Sequence, residues 1–315
     1  INGSGAAPAG LSADRFSGMA AVPALGAASL TTPGCIAAWY EAWYGWGRLS
    51  WRELFAPAIA LAEEGFAVSW RLGRVLRRER AVLAADPGLA SLFLRDGRPL
   101  VAGAICRPEA LARTLRAIAR DGAEALSTGP LAERLCRGVR GAGGVLSAAD
   151  LKDHESELRG AVEVPVRGSM RVPATGTRKS IDTTSSGMFT LCEQPLPSQG
   201  LLVPLALRIL EETGAAPLGD GTSTGGPGPA ARSEMHRQVE SIRVAFAVRD
   251  LFLADPRTLP VPEAELLGAL FDTPTVTALA RLVGEDARTP RMEDFAATLS
   301  PRVPAPAAPA RSFAG

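Results

Sequence analysis

Apolar positions spaced three and four apart predict a series of helices along this chain. The turn Thr32-Pro33-Gly34 precedes an aromatic-rich helix with Trp39, Tyr40, Trp43 and Tyr44 at helical spacing, closing near Gly45-Trp46-Gly47. Ser50 with Glu53 reads as a capping box for a second helix, which Pro57 should bend or restart. An arginine-studded helix is expected over 71–85, broken by Asp86-Pro87-Gly88. Amphipathic helices follow at about 108–120 and 130–141, the second closed by Gly143-Gly144, and Ser147 with Asp150 opens a helical turn. Further on, a helix is expected over 200–213, and a longer one over 234–252 capped by Ser233, with Met235, Val239, Ile242 and Phe246 on one face.

Two stretches change period. SLFLRDGRPL reads as two short strands about an Asp96-Gly97 turn, and LRGAVEVPVRGSMRVP as two strands joined by Arg167-Gly168. The polar TGTRKSIDTTSSG that follows reads as an exposed insertion, within residues 173–192. Residues 219–230 read as a low-complexity flexible loop, and 301–315 as a Pro/Ala-rich mobile tail. Together these elements predict an α/β chain forming a single domain.

Composition narrows the function classes. Apolar residues make up 46 % of the 315, enough for a substantial core. Lys+Arg 34 against Asp+Glu 33 leaves +1, so no basic field for nucleic acid is present. No apolar run is long enough to suggest a membrane span. The four cysteines, Cys35, Cys106, Cys136 and Cys192, lie too far apart for a zinc or redox motif, and read as small hydrophobes. No metal and no cofactor is expected.

Chemistry-bearing motifs are few. INGSGAAPAG contains a G-x-G at Gly3 and Gly5, but Pro8 stands where a dinucleotide loop needs its third glycine. Gly221-Thr222-Ser223-Thr224-Gly225 matches a nucleophile elbow in letters only, because glycine and proline flank it instead of a strand and a helix. His154, in the charged LKDHESELRG, reads as a solvated surface residue, and His236 as one that packs or faces solvent. The residues alone therefore predict the bulk of an enzyme without a nucleophile.

Several stretches, taken in order, resemble the large-subunit portion of the gamma-glutamyltransferase family. TTPGCIAAWYEAWYGWGRLSWRELFAPAIALAEEGFAVS (31–69) is similar to its Pro-Gly, Tyr-Gly-x-Leu and Pro-Ala-x-x-Leu-Ala-x-x-Gly-Phe series. STGPLAERLCRGVRGAGGVLSAADL (127–151), QPLPSQG (194–200) and RVAFAVRDLFLADPRTLPVP (243–262) continue that order. The resemblance implies the αββα four-layer sandwich of an N-terminal-nucleophile (Ntn) hydrolase, incomplete without a small subunit cut from the same precursor. It also implies that the nucleophile, an N-terminal threonine of that subunit, lies outside this chain, so no catalytic residue is expected here. The family's opening Gly-Gly-Asn-Ala helix is missing, so the chain reads as N-terminally truncated. The implied substrate is a small-molecule amide or γ-glutamyl compound.

The resemblance also marks a departure. Glutamyl-transferring members carry an arginine four residues before the proline of an Ala-Pro pair, and it grips the substrate α-carboxylate. Here that position is Ser4, and no arginine occurs before Arg15. A serine donates one hydrogen bond and supplies no charge. Asn2, Gly3 and Ser4 are therefore the expected substrate-binding residues, with specificity altered from γ-glutamyl compounds. Acylase chemistry on the same fold, or an inactive binding unit, are the alternatives. The Pro197-Ser198-Gln199-Gly200 turn is expected to be structural.

Overall fold

A computed structural model describes residues 1–19, 21–172, 183–215, 229–284 and 292–299. The expected 301–315 tail, the Gly221–Gly225 match and residues 219–228 of the expected 219–230 loop lie outside these residues; 229 and 230 open a helix. The chain divides into two compact units, Ile1–Leu158 and Arg159–Gly315.

In the first unit, helix α1 (Cys35–Trp46) follows the Pro33-Gly34 turn and stops at Gly47. Helix α2 (Trp51–Glu64) opens with the Ser50/Glu53 capping box. Pro57 neither bends it into two elements nor restarts it, because buried Trp51, Phe55 and Ala62 hold both halves against the core. The aromatic stripe of α1 divides. Tyr40 and Trp43 pack around Trp51, with ring centroids 5.2 and 5.6 Å from it, while Trp39 and Tyr44 are exposed. The Trp51 indole N–H donates to the Ile118 carbonyl at 2.8 Å, which satisfies its polar end inside the cluster.

Strand β1 (Phe66–Ala67) leads to α3 (Trp70–Arg78), α4 (Arg80–Ala85) and α5 (Pro87–Phe93). The expected single helix over 71–85 is thus two, parted at Glu79, and Asp86 does more than break it. Its carboxylate accepts the Leu89 N–H at 2.8 Å and caps α5, where Pro87 takes the first turn. Residues 91–93 therefore close a helix, and only β2 (Leu94–Arg95) and β3 (Arg98–Pro99) form the hairpin about Asp96-Gly97. Both turn residues have positive φ, 50° and 71°, as a tight hairpin turn requires. Strand β4 (Ile105–Cys106) pairs with β1, and α6 (Glu109–Asp121), α7 (Glu124–Ser127), α8 (Gly129–Gly141) and α9 (Ala148–Lys152) complete the unit. Cys106 and Cys136 are buried hydrophobes as expected; Cys35 and Cys192 are exposed.

The second unit opens with one long hairpin. β5 (Val162–Val172) pairs antiparallel with β6 (Thr183–Glu193), from Val162 opposite Glu193 to Val172 opposite Thr183. Arg167-Gly168 is therefore no turn, and residues 183–193 are no insertion. The period-2 alternation simply runs on through Gly168, burying Val164 and Val166 opposite Leu191 and Phe189. After a Gln199–Leu201 helical turn come α10 (Leu202–Glu212), α11 (Pro229–Phe252), α12 (Glu263–Phe271), α13 (Thr273–Ala280) and α14 (Met292–Leu299). Gly200 is needed there for closeness, since a Cβ on it would lie 2.1 Å from the Gln194 carbonyl oxygen.

Helix α11 begins at Pro229, whose fixed φ suits a first turn, so Ser233 lies inside the helix instead of capping it. Its core face is Val244, Ala245, Val248 and Phe252, packed with Leu205 and Ile209 of α10 and Leu270 of α12. Met235, Val239, Ile242 and Phe246 do share a face, and that face is exposed. Arg159 donates to the Leu196 carbonyl at 2.7 Å and pairs with Glu263, whose other oxygen accepts the Leu196 N–H at 2.7 Å. This bridge ties the start of β5 to the 194–200 turn and α12.

Candidate functional site

The expected substrate-binding residues lie together on a strap of chain pinned to the start of α1. Asn2 and Glu157 exchange both backbone hydrogen bonds, at 2.8 and 2.9 Å, as a single antiparallel bridge. The Asn2 side-chain oxygen then accepts the Ser4 N–H at 3.0 Å, turning the chain locally. Asn2 and Gly3 are half-buried, and Ser4 is exposed. Further along, Ala6 accepts from the buried Thr32 N–H at 2.9 Å, and the Asp150 carboxylate accepts the Ala9 N–H at 2.8 Å.

The glycines of this strap are dictated by contact. A Cβ on Gly3 would lie 2.6 Å from the Ala38 Cβ, and one on Gly5 only 1.7 Å from the Thr32 carbonyl oxygen. From the other side, a Cβ on Gly34 would lie 2.2 Å from both the Gly3 carbonyl oxygen and His154 Nε2. Three chain segments thus converge on one glycine that caps α1. The G-x-G of the opening stretch serves backbone packing, which explains why no phosphate fingerprint accompanies it.

His154 departs from its expected solvated place. It is half-buried, and its Nε2 and the Ser156 hydroxyl are both buried without a hydrogen-bond partner among the described residues. The charged run LKDHESELRG disguised it, because the chain after α9 folds back to pair with Asn2 and carries His154 inward. Gly34, His154 and Ser156 lie together beside this strap, a grouping that their positions in the sequence do not reveal. His236 packs as expected, its Nε2 lying 2.8 Å from the Gly284 carbonyl oxygen.

Electrostatics at the strap are modest. The Asp150 carboxyl is held below the usual carboxylate range, first by the Ala9 N–H and then by the Ser147 hydroxyl it shares in a capping box. Arg15, the first arginine of the chain, donates to the Gly143 carbonyl at 2.6 Å. Among the described residues no cationic side chain hydrogen-bonds to Ser4, whose N–H donates to the Asn2 side chain. Among the described residues no group of histidine, cysteine and carboxylate side chains is arranged to hold a metal ion, and no helix is long and apolar enough to cross a membrane.

Comparison with known proteins agrees with this picture. A gamma-glutamyltranspeptidase family model matches residues 1–308. Glutathione hydrolase 3 of Arabidopsis thaliana is 32 % identical over 81 % of this chain and 36 % of its own length. The acylase ACY 1 proenzyme of Pseudomonas sp. (strain V22) is 33 % identical over 77 % of this chain and 38 % of its own. The chain therefore spans well under half of these relatives. Among solved structures, cephalosporin acylase from Bacillus halodurans superposes with a TM-score of 0.72 at 26 % identity, over 92 % of this chain and 49 % of that one. The mixed helix and sheet, mostly helical, is that of the Ntn-hydrolase relatives. By its sequence over nearly its whole length and by its fold, this chain belongs to the gamma-glutamyltranspeptidase family.

Proposed function

We propose that this chain is the large-subunit part of an amide hydrolase or acyltransferase that works with a small subunit from the same precursor. The small subunit's N-terminal threonine attacks the substrate amide, and its own amine serves as base. The acyl-enzyme then passes its acyl group to water or to an amine. Asn2, Gly3 and Ser4 shape the acyl pocket. The observation that carries this reading is the strap itself: packed glycines hold Asn2 and Gly3 against α1 and leave Ser4 exposed and uncharged.

An uncharged Ser4 favours substrates whose acyl part lacks a free α-carboxylate, because a charge-assisted contact to such a group is worth roughly 1.5–3 kcal/mol. That favours acylase chemistry within the same fold, and both the acylase proenzyme and the cephalosporin acylase likeness support it. The test is an assay of the full gene product. Self-cleavage seen by mass spectrometry, with slow release of 4-nitroaniline from a γ-glutamyl anilide, and a gain of that activity in Ser4→Arg, is the expected result. Fast release by the unaltered protein would refute the altered specificity. A gene product that stays uncleaved and inactive on every amide would leave the binding-unit alternative instead.

A further inference from the structure

The segment after α9 meets the strap at a second point beside the Asn2–Glu157 bridge, and that point is His154. Its Nε2 and Cε1 would lie 2.2 and 2.4 Å from a Cβ on Gly34, and the Gly3 carbonyl oxygen would lie 2.2 Å from the same Cβ. The ring edge and the Gly3 carbonyl therefore both rest on the Gly34 backbone, in the space where any other residue would start a side chain. Nε2 is buried, so solvent does not reach this edge of the ring. Gly3 is also closed in by α1, since a Cβ on it would lie 2.6 Å from the Ala38 Cβ. Ser4 has no such enclosure: it is exposed, and its N–H is held by the Asn2 side chain at 3.0 Å. Ser4 thus takes its place from its two predecessors. Asn2 is fixed by Glu157, and Gly3 by the packing of Gly34, Ala38 and His154.

We propose that His154 is a positioning residue for the strap: its ring edge holds the Gly3 carbonyl against Gly34 and so sets where Ser4 stands. This rests on the reading that Asn2, Gly3 and Ser4 shape the acyl pocket. His154 acts through Gly3 and not on the substrate, because its buried edge faces the backbone of the strap. Protein interiors are close-packed, so removing the ring leaves a gap into which the strap relaxes only in part. A loosened strap must be ordered again when the acyl group binds. That weakens binding and leaves the chemical step, which belongs to the small subunit, as it was.

The experiment uses the cleaved full gene product, with butyryl 4-nitroanilide as the substrate and hydrogen exchange of a peptide spanning residues 1–9 as the probe of the strap. His154→Ala should raise KM about threefold to tenfold with kcat nearly unchanged, the pattern of lost binding shared by ground and transition states. Its 1–9 peptide should exchange faster. His154→Gln, whose amide nitrogen reaches about as far as the imidazole Nε2, should restore both readouts. Ser156→Ala removes a buried hydroxyl without a partner from the same segment and should leave both as they are. His154→Asn, too short to reach Gly34, carries the test if the thermal midpoint shows that His154→Ala does not fold. Unchanged exchange and KM in His154→Ala overturn the proposal. An equal rise of KM in Ser156→Ala, or no recovery in His154→Gln, overturns it as well. Faster exchange with an unchanged KM refutes the acyl-pocket reading and leaves the positioning of the strap standing. If the protein hydrolyses no anilide, exchange alone decides.

Discussion

A single methyl group at Gly34 would put a carbon 2.2 Å from both the Gly3 carbonyl oxygen and His154 Nε2, neither of which can retreat freely. Gly34→Ala should therefore cost about 1–3 kcal/mol, the usual range for overpacking a tight site. Gly45→Ala makes the contrast: nothing lies within 4 Å of that position, so helix propensity alone should leave stability equal or higher. The urea midpoint should fall in Gly34→Ala and hold or rise in Gly45→Ala, and equal shifts would refute the contact argument. At Asp150 the prediction concerns pH. Its folded carboxyl is depressed, so the stability it contributes is full above the ordinary carboxylate value near ~3.9 and declines as pH falls through the lower folded value. The protection of the Ala9 amide against hydrogen exchange, relative to its intrinsic rate at each pH, should fall in that acid window, and in Asp150→Asn it should already be reduced at neutral pH.

Among the elements, α11 separates what a hydrophobic pattern says from what packing selects. Met235, Val239, Ile242 and Phe246 follow helical spacing, yet they remain 67, 48, 45 and 39 % exposed. The core takes the adjacent face, including the small Ala245 and Ser241, because close approach of α10 rewards small side chains there. On the two-subunit reading, the small subunit covers the exposed stripe. Ile242→Asp should then leave the unit's thermal midpoint nearly unchanged, since the side chain contributes little to its core, and should weaken association of the cleaved pieces on size-exclusion chromatography. Co-elution as tight as in the unaltered protein would exclude this face from the interface. The Ser50 and Ser147 capping boxes, by contrast, form as the local sequence specifies, because a cap involves only residues three apart.

At the scale of the whole molecule, the family was legible because its motifs are local and ordered: the Pro33-Gly34 turn, the Gly143-Gly144 helix end, the 194–200 turn and the Asp255-Pro256 pair all occur as short stretches. Most helix positions, the Asp96-Gly97 hairpin, the Ser50 capping box and the helical turn at Ser147 followed from period and turn chemistry in the same way. The strand at 183–193 was not legible, because a polar, serine- and threonine-rich stretch becomes a strand only when β5 supplies its hydrogen-bonding partner. Nor was the burial of His154 and Ser156, whose charged neighbours conceal that the Asn2–Glu157 bridge draws that run inward. Residue order alone was enough for most of the helices, for the Ser50 cap and for membership of the family, since those depend on neighbours a few positions apart. Which glycines are irreplaceable, which face of α11 is buried and which polar atoms lack partners depend on segments that are separate along the chain, and only folding brings those into contact.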